Sequence, residues 1–204
     1  VRMPEIADQS RYQIRFEWGT SGVRRLAAPD VVVIVDVLSA STEVVDAVAG
    51  GDAVPLTETR LAELAGAAQD AGALVLLGAL RNAAAVAAAV LAEQQRRGAR
   101  TSVAVIAAGD ADAAGWRVAV EDQLGAGAVI DALGSLGLDH TSPEAAAACE
   151  SFRGLQSAVR HLLTASASGQ TLLDAGARDA VLAAATLDAT SAVPVLRDGV
   201  FVAA

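Results

Sequence analysis

Residues 31–45 read VVVIVDVLSASTEVV. Val31 to Val35 is an unbroken run of β-branched residues. A strand with one wet face would alternate apolar and polar, so this run predicts a strand covered on both faces, as in a parallel sheet. Asp36 ends the run, and Ser39, Ser41 and Thr42 follow where a helix over Ala40–Ala49 should begin. In an open α/β sheet, ligands bind outside the carboxyl ends of the strands. Asp36 therefore stands where a site would be, with the positive end of a helix beside it. A plainer reading fits the same residues: Asp36 closes a turn, and Ser41 or Thr42 caps the helix.

The alternation continues outward from this stretch. Tyr12–Trp18 has strand periodicity. The helix over Ala40–Ala49 stops at Gly50-Gly51 and is followed by a short strand, Ala53–Leu56. Next come a helix over Leu61–Ala71, a strand over Ala73–Leu77 and a helix over Ala83–Arg97 that stops at Gly98. A strand over Ser102–Ala107 and a helix over Val120–Leu133 complete the pattern. Such alternation is that of α/β units. Ser142 to Leu187 is helical throughout, opening with a capping serine and with Pro143 at the first helical position. The end, VPVLRDGVFVA, reads as a hairpin turning at Asp198-Gly199. The prediction is a three-layer α/β fold: a mostly parallel or mixed sheet flanked by helices, with a C-terminal helical block and a closing β-hairpin. One domain spans residues 1–204.

The net charge of −9 argues against a general nucleic-acid surface. It still permits a small anionic substrate, which needs only local positive charge, helix N-termini or a metal. No apolar run approaches the roughly 20 residues of a membrane span. The opening VRMPEIADQSRYQ lacks a signal peptide's apolar middle, so the expected location is the cytoplasm, with no membrane partner. Oligomeric state is left open. Cys149 is the only cysteine, which excludes a disulfide framework and a thiolate metal cluster. It reads as a small buried apolar residue. His140 and His161 are isolated and have no ligand spacing.

Three strand ends carry chemistry-bearing side chains. Asp36 could hold Mg²⁺ or attack phosphorus. Arg81 and Asn82 follow the strand ALVLL. Arginine is a planar clamp for phosphate, and Asn82 is also a natural N-cap for the next helix. Gly109 and Asp110 follow the strand over Ser102–Ala107, and Glu121-Asp122 opens the next helix. That acidic pair could bind a metal, or it could simply complement the helix dipole. Gly125-Ala126-Gly127 lies inside helical periodicity and reads as a close helix contact rather than a phosphate loop.

Together these pieces resemble the 2-phosphosulpholactate phosphatases, in particular their shorter, actinobacterial-type members. The resembling segments are RFEWGTSG (15–22), VVVIVDVLSAST (31–42), GALRNAAAVA (78–87), VIAAG (105–109) and VEDQLGAGAVIDAL (120–133). They continue through SPEAAAA, ASGQTLL and VPVLRDG. The resemblance implies an α/β fold, Mg²⁺ dependence and hydrolysis of a phosphate ester on a sulfonated three-carbon acid, a step of coenzyme M biosynthesis. By position, Asp36, Asn82 and the Glu121-Asp122 pair match the family's signatures. The expected site has Asp36, Arg81 and Asn82 as catalytic residues and Ser39, Ser41, Thr42 and Gly109 as substrate contacts. Mg²⁺ would be held by Asp36, Glu121 and Asp122.

Two departures stand out. The family's first signature reads D-V-L-R-A-T, and here Ser39 occupies the arginine position. The family's central loops are also absent: Leu56 to Leu77 is one helix and one strand, and the helix around Glu58 and Glu63 offers no replacement for them. The expected function is a Mg²⁺-dependent phosphatase acting on a small anionic phosphorylated substrate, with reduced activity on 2-phosphosulpholactate. The alternative is a non-catalytic member that binds a small anion or a protein partner.

Overall fold

The computed structural model describes residues 6–112 and 115–204. Val1 to Glu5, part of the stretch read for a signal peptide, lie outside them. Val31–Val35 forms β2, third in a seven-stranded sheet. The order is β1 (Ile14–Trp18), β5 (Val103–Ala107), β2, β4 (Leu74–Gly78), β8 (Pro194–Arg197), β9 (Val200–Ala203) and β3 (Val54–Pro55). β1, β5, β2 and β4 are parallel, and the last three strands join antiparallel. The sheet is thus mixed, with a parallel half that carries the site.

The unbroken apolar run has the predicted consequence. All five residues of β2 are fully buried. Val31, Val33 and Val35 pack into one core layer with α4 (Ala83–Arg97) and α5 (Val120–Ser135). Val32 and Ile34 pack into the other, with α1 (Gly19–Arg25), α2 (Ala40–Ala49) and α3 (Thr59–Asp70). Each such side chain contributes about 1.5–3 kcal/mol of burial.

The C-terminal helical block consists of α6 (Pro143–Leu155), α7 (Val159–Ala165), α8 (Ala167–Asp174) and α9 (Arg178–Ala184). Ser142 caps α6 as expected, accepting the Ala145 N–H at 3.1 Å. Gly127 explains how closely α6 seats on α5. A Cβ there would lie 2.2 Å from the Ala148 carbonyl oxygen, so only glycine allows that approach. The closing hairpin turns at Asp198 and Gly199, both at positive φ. Among the described residues, no helix is long and apolar enough to cross a membrane.

Two elements escape the periodic reading. Helix α1 is short and contains two glycines, and it buries only one stripe, through Val23 with Leu26 just beyond its end. The small antiparallel pair β6 (Asp110–Asp112) and β7 (Gly115–Arg117) carries no apolar alternation. An Asp110–Arg117 ion pair links its two strands.

Topology fixes where a ligand can sit. The chain leaves β2 on one face of the sheet through α2 and α3 to reach β4. It then crosses on the other face through α4 to β5, on the opposite side of β2. The strand order therefore reverses between β2 and β5, and their carboxyl ends are level, Val35 beside Ala107. The crevice outside these two ends is the topological switch point of the sheet.

Candidate active site

A cavity of about 200 Å³ opens at that crevice. Asp36 and Ser39 enter it from the β2–α2 loop, and Gly109 and Asp110 from the end of β5. Glu121 and Asp122 enter from the first turn of α5, and Arg60 from the first turn of α3. Ser168, Thr171 and Leu172 of α8 close the far wall.

Asp36 is only 5% exposed. Burial pushes its carboxyl up to about 6, against the pull of Arg60; Glu58 and Asp110 add to the rise, and the Ala40 N–H at the start of α2 opposes it. The Arg60 guanidinium lies 3.4 Å from Asp36 Oδ2 and 3.3 Å from Asp110 Oδ1. It also donates to the Gly109 carbonyl at 2.8 Å. Burial acts to lower the Arg60 pKa, but the carboxylates of Asp36, Asp110 and Asp122 outweigh it and hold the guanidinium charged. An arginine in the first turn of a helix opposes the dipole, so these acidic neighbours hold it where helix electrostatics alone would not.

Asp122 is fully committed to backbone. One oxygen accepts the Val37 N–H at 2.7 Å and the other the Gly109 N–H at 3.0 Å. It stitches together the two loops that flank the switch point. Burial, with Asp36 nearby, pushes its carboxyl well above the usual range. Glu121 differs. It is 2% exposed, and its Oε2 is buried with no hydrogen-bond partner. A buried carboxylate oxygen left unpartnered calls for a donor or a cation.

Gly109 is required twice over. Its φ is +70°, and a Cβ there would lie 2.6 Å from the Trp116 indole. The indole Nε1 donates to the Ala108 carbonyl, which keeps the ring against the loop.

The remaining predicted site residues are placed otherwise. Ser39 lines the cavity, but Ser41 and Thr42 do not reach it. Ser41 Oγ accepts the Asp36 N–H at 2.9 Å, and the Thr42 hydroxyl donates to the Val37 carbonyl. Neither caps α2. Their hydroxyls shape the turn that holds Asp36. Arg81 is not brought to the cavity either. It bonds Asp46 at 2.7 Å and the Ala183 carbonyl at 2.8 Å, tying α2 to α9. Asn82 is fully buried and occupies the N-cap position of α4 without capping it. Its side chain accepts the Ala79 N–H and donates to the Leu77 and Ala192 carbonyls. Both residues hold the β4–α4 connection and the C-terminal segment together.

Arg60 is the residue that sequence reasoning missed. The helix around Glu58 and Glu63, expected to offer no replacement for the absent central loops, does bring one guanidinium, that of Arg60, to the cavity wall. The signal was an arginine at the start of a helix, just after Glu58, whose carboxylate caps that helix through the Arg60 N–H.

A model of the 2-phosphosulpholactate phosphatase family matches residues 50–199. The match begins beyond Asp36 and takes in Arg60, Gly109, the Glu121-Asp122 pair and α8. Among curated proteins, none matches the chain.

Proposed function

The chain belongs to the 2-phosphosulpholactate phosphatase family, and from that premise we propose that it hydrolyses a small phosphate monoester in the cavity between Asp36 and α8. The observation that carries this reading is the Arg60 guanidinium at 3.4 Å from Asp36, at the switch point of the sheet. One cation and a carboxylate at a helix N-terminus suit a tetrahedral dianion and the charge that moves as its ester bond breaks.

Mg²⁺ is the metal the family implies. Among the described residues, no group of three or more His, Cys, Asp or Glu side chains is arranged to hold a metal. Asp122 has both oxygens on backbone amides. Asp36 and Glu121 remain, and the unpartnered Glu121 oxygen supports the fit. Two carboxylates suit Mg²⁺, which usually keeps several waters and binds through one or two carboxylates plus substrate phosphate. When bound, it would neutralise phosphoryl charge and lower the pKa of a coordinated water.

The chain's own residues do the rest. Arg60 donates to phosphoryl oxygens and keeps Asp36 oriented. Asp122 holds the Val37 and Gly109 amides in place, so the two loops keep their spacing as charge develops. Leu38, Ala119 and Leu172 limit solvent around the leaving group. A water attacks phosphorus, the P–O ester bond breaks, and the departing alkoxide takes up the proton that the attacking water gives up.

Phosphate release from a panel of phosphomonoesters, with Mg²⁺ and with chelator, tests the reading. Turnover is expected with Mg²⁺ and should be lost in Glu121→Gln. No release from any ester at millimolar Mg²⁺ would refute it.

A further inference from the structure

The charge balance of the cavity bears on its substrate. Its wall carries four carboxyl groups, Asp36, Asp110, Glu121 and Asp122, against one guanidinium, that of Arg60. That guanidinium already serves Asp36 and Asp110. Arg117 is not among the residues that line the cavity, although it is bonded to two that are, Asp110 and Ser168. A neighbouring depression of about 460 Å³ shares Arg60 and Asp110 and adds Glu58 and Glu63, with no further cation. Among the described residues lining either space, Arg60 is the one positive side chain.

The wall away from Arg60 is neutral. Ser168 and Thr171 offer hydroxyls, and Leu38, Ala119 and Leu172 are apolar. Ser39 adds a third hydroxyl and no charge. A phosphoryl group can share Arg60 and a bound Mg²⁺. A second or third anionic group on the same small molecule would meet carboxylates or apolar surface, with no cation to receive it. A hydroxyl would meet partners.

We propose that the substrate of this cavity is a phosphate monoester of a small uncharged alcohol or polyol, and that anionic groups on the organic part are selected against. This rests on the phosphatase reading above and departs from the doubly anionic organic part of 2-phosphosulpholactate. The discrimination lies in Arg60 being the one cation among the described residues that line the cavity.

Three esters on one skeleton test it: glycerol 2-phosphate, 2-phosphoglycerate and 2-phosphosulpholactate carry zero, one and two anionic groups besides phosphate. With the full chain and Mg²⁺, kcat/KM is expected to fall at least tenfold at each step. Ser39→Arg should narrow the gap between the first and last esters by tenfold or more. Equal or faster hydrolysis of 2-phosphosulpholactate would overturn the inference and leave the phosphatase reading standing. A gap unchanged in Ser39→Arg would overturn the charge balance as its cause. No phosphate from any of the three, nor from the wider panel, would remove the phosphatase reading itself and this inference with it.

Discussion

The Arg60 guanidinium lies 3.4 Å from the Asp36 carboxylate, although the two residues come from different loops on one face of the sheet. Asp36 is placed by the end of β2 and the start of α2. Arg60 is placed by the first turn of α3, capped by Glu58. Their meeting puts one positive charge at the switch point of the sheet.

Asp36 gives a pH signature in metal-free buffer. Its folded-state pKa is raised to about 6 by burial, above the ordinary carboxyl value near 3.9. The folded chain therefore holds this proton more tightly than the unfolded chain. As pH rises from about 4 to about 6, the folded state loses stability, on the order of 3 kcal/mol from this group, and the loss is complete above about 6. Asp122 shifts in the same direction. Asp36→Asn should therefore gain on the wild type across that window, by about 6–12 °C in Tm, and hold a constant difference above it. Melting curves at pH 4 and pH 7 giving the same difference would show that Asp36 titrates normally.

Asp122 should behave as a positioning residue. In Asp122→Asn, an amide NH₂ must face one of the two backbone N–H donors now bonded to the carboxylate, leaving a buried donor unpaired at about 1–3 kcal/mol. The expected Tm loss is about 2–10 °C, with kcat lowered and KM less affected because the loops flanking the cavity lose their tie. Unchanged stability in a thermal melt would mean that the Val37 and Gly109 amides find other partners.

Arg81 and Asn82 separate structure from chemistry. Asn82→Ala should cost about 1–3 kcal/mol, because the Ala79 N–H and two carbonyls lose a buried partner. The folded enzyme that remains should keep its kcat. Arg81→Met should likewise leave kcat near wild type. Loss of turnover in either variant, with the fold intact by circular dichroism, would return them to the catalytic machinery.

Mg²⁺ with inorganic phosphate should raise Tm by several degrees through preferential binding to the native state. Glu121→Gln should abolish that shift, since the unpartnered oxygen is the feature that a cation would satisfy. An equal shift in wild type and Glu121→Gln would place the metal elsewhere.

Much of this was legible in the sequence, for a physical reason. An unbroken run such as Val31–Val35 is stable only as an inner strand, and glycines and caps mark helix ends locally. The site was half legible. Asp36, Gly109 and Glu121-Asp122 sit at strand ends or a helix start, positions that topology brings together. Arg81 and Asn82 obey the same positional rule, yet their side chains turn to α2, α9 and the loop after it, because orientation depends on packing that no local pattern encodes. Arg60 was missed for the converse reason. It follows no central strand, and its role arises from α3 packing beside the β5 loop.

The most direct test is the rate of phosphate release by Arg60→Met against wild type, with Mg²⁺ and glycerol 2-phosphate. Losing a charge-assisted contact to the phosphoryl group costs about 1.5–3 kcal/mol, so kcat/KM should fall by roughly ten- to more than a hundredfold. Arg60→Lys should recover part of the loss, and the fold should persist in both. Wild-type kcat/KM in Arg60→Met would contradict the account, because the cavity would then be hydrolysing its ester without the one cation among the described residues that line it.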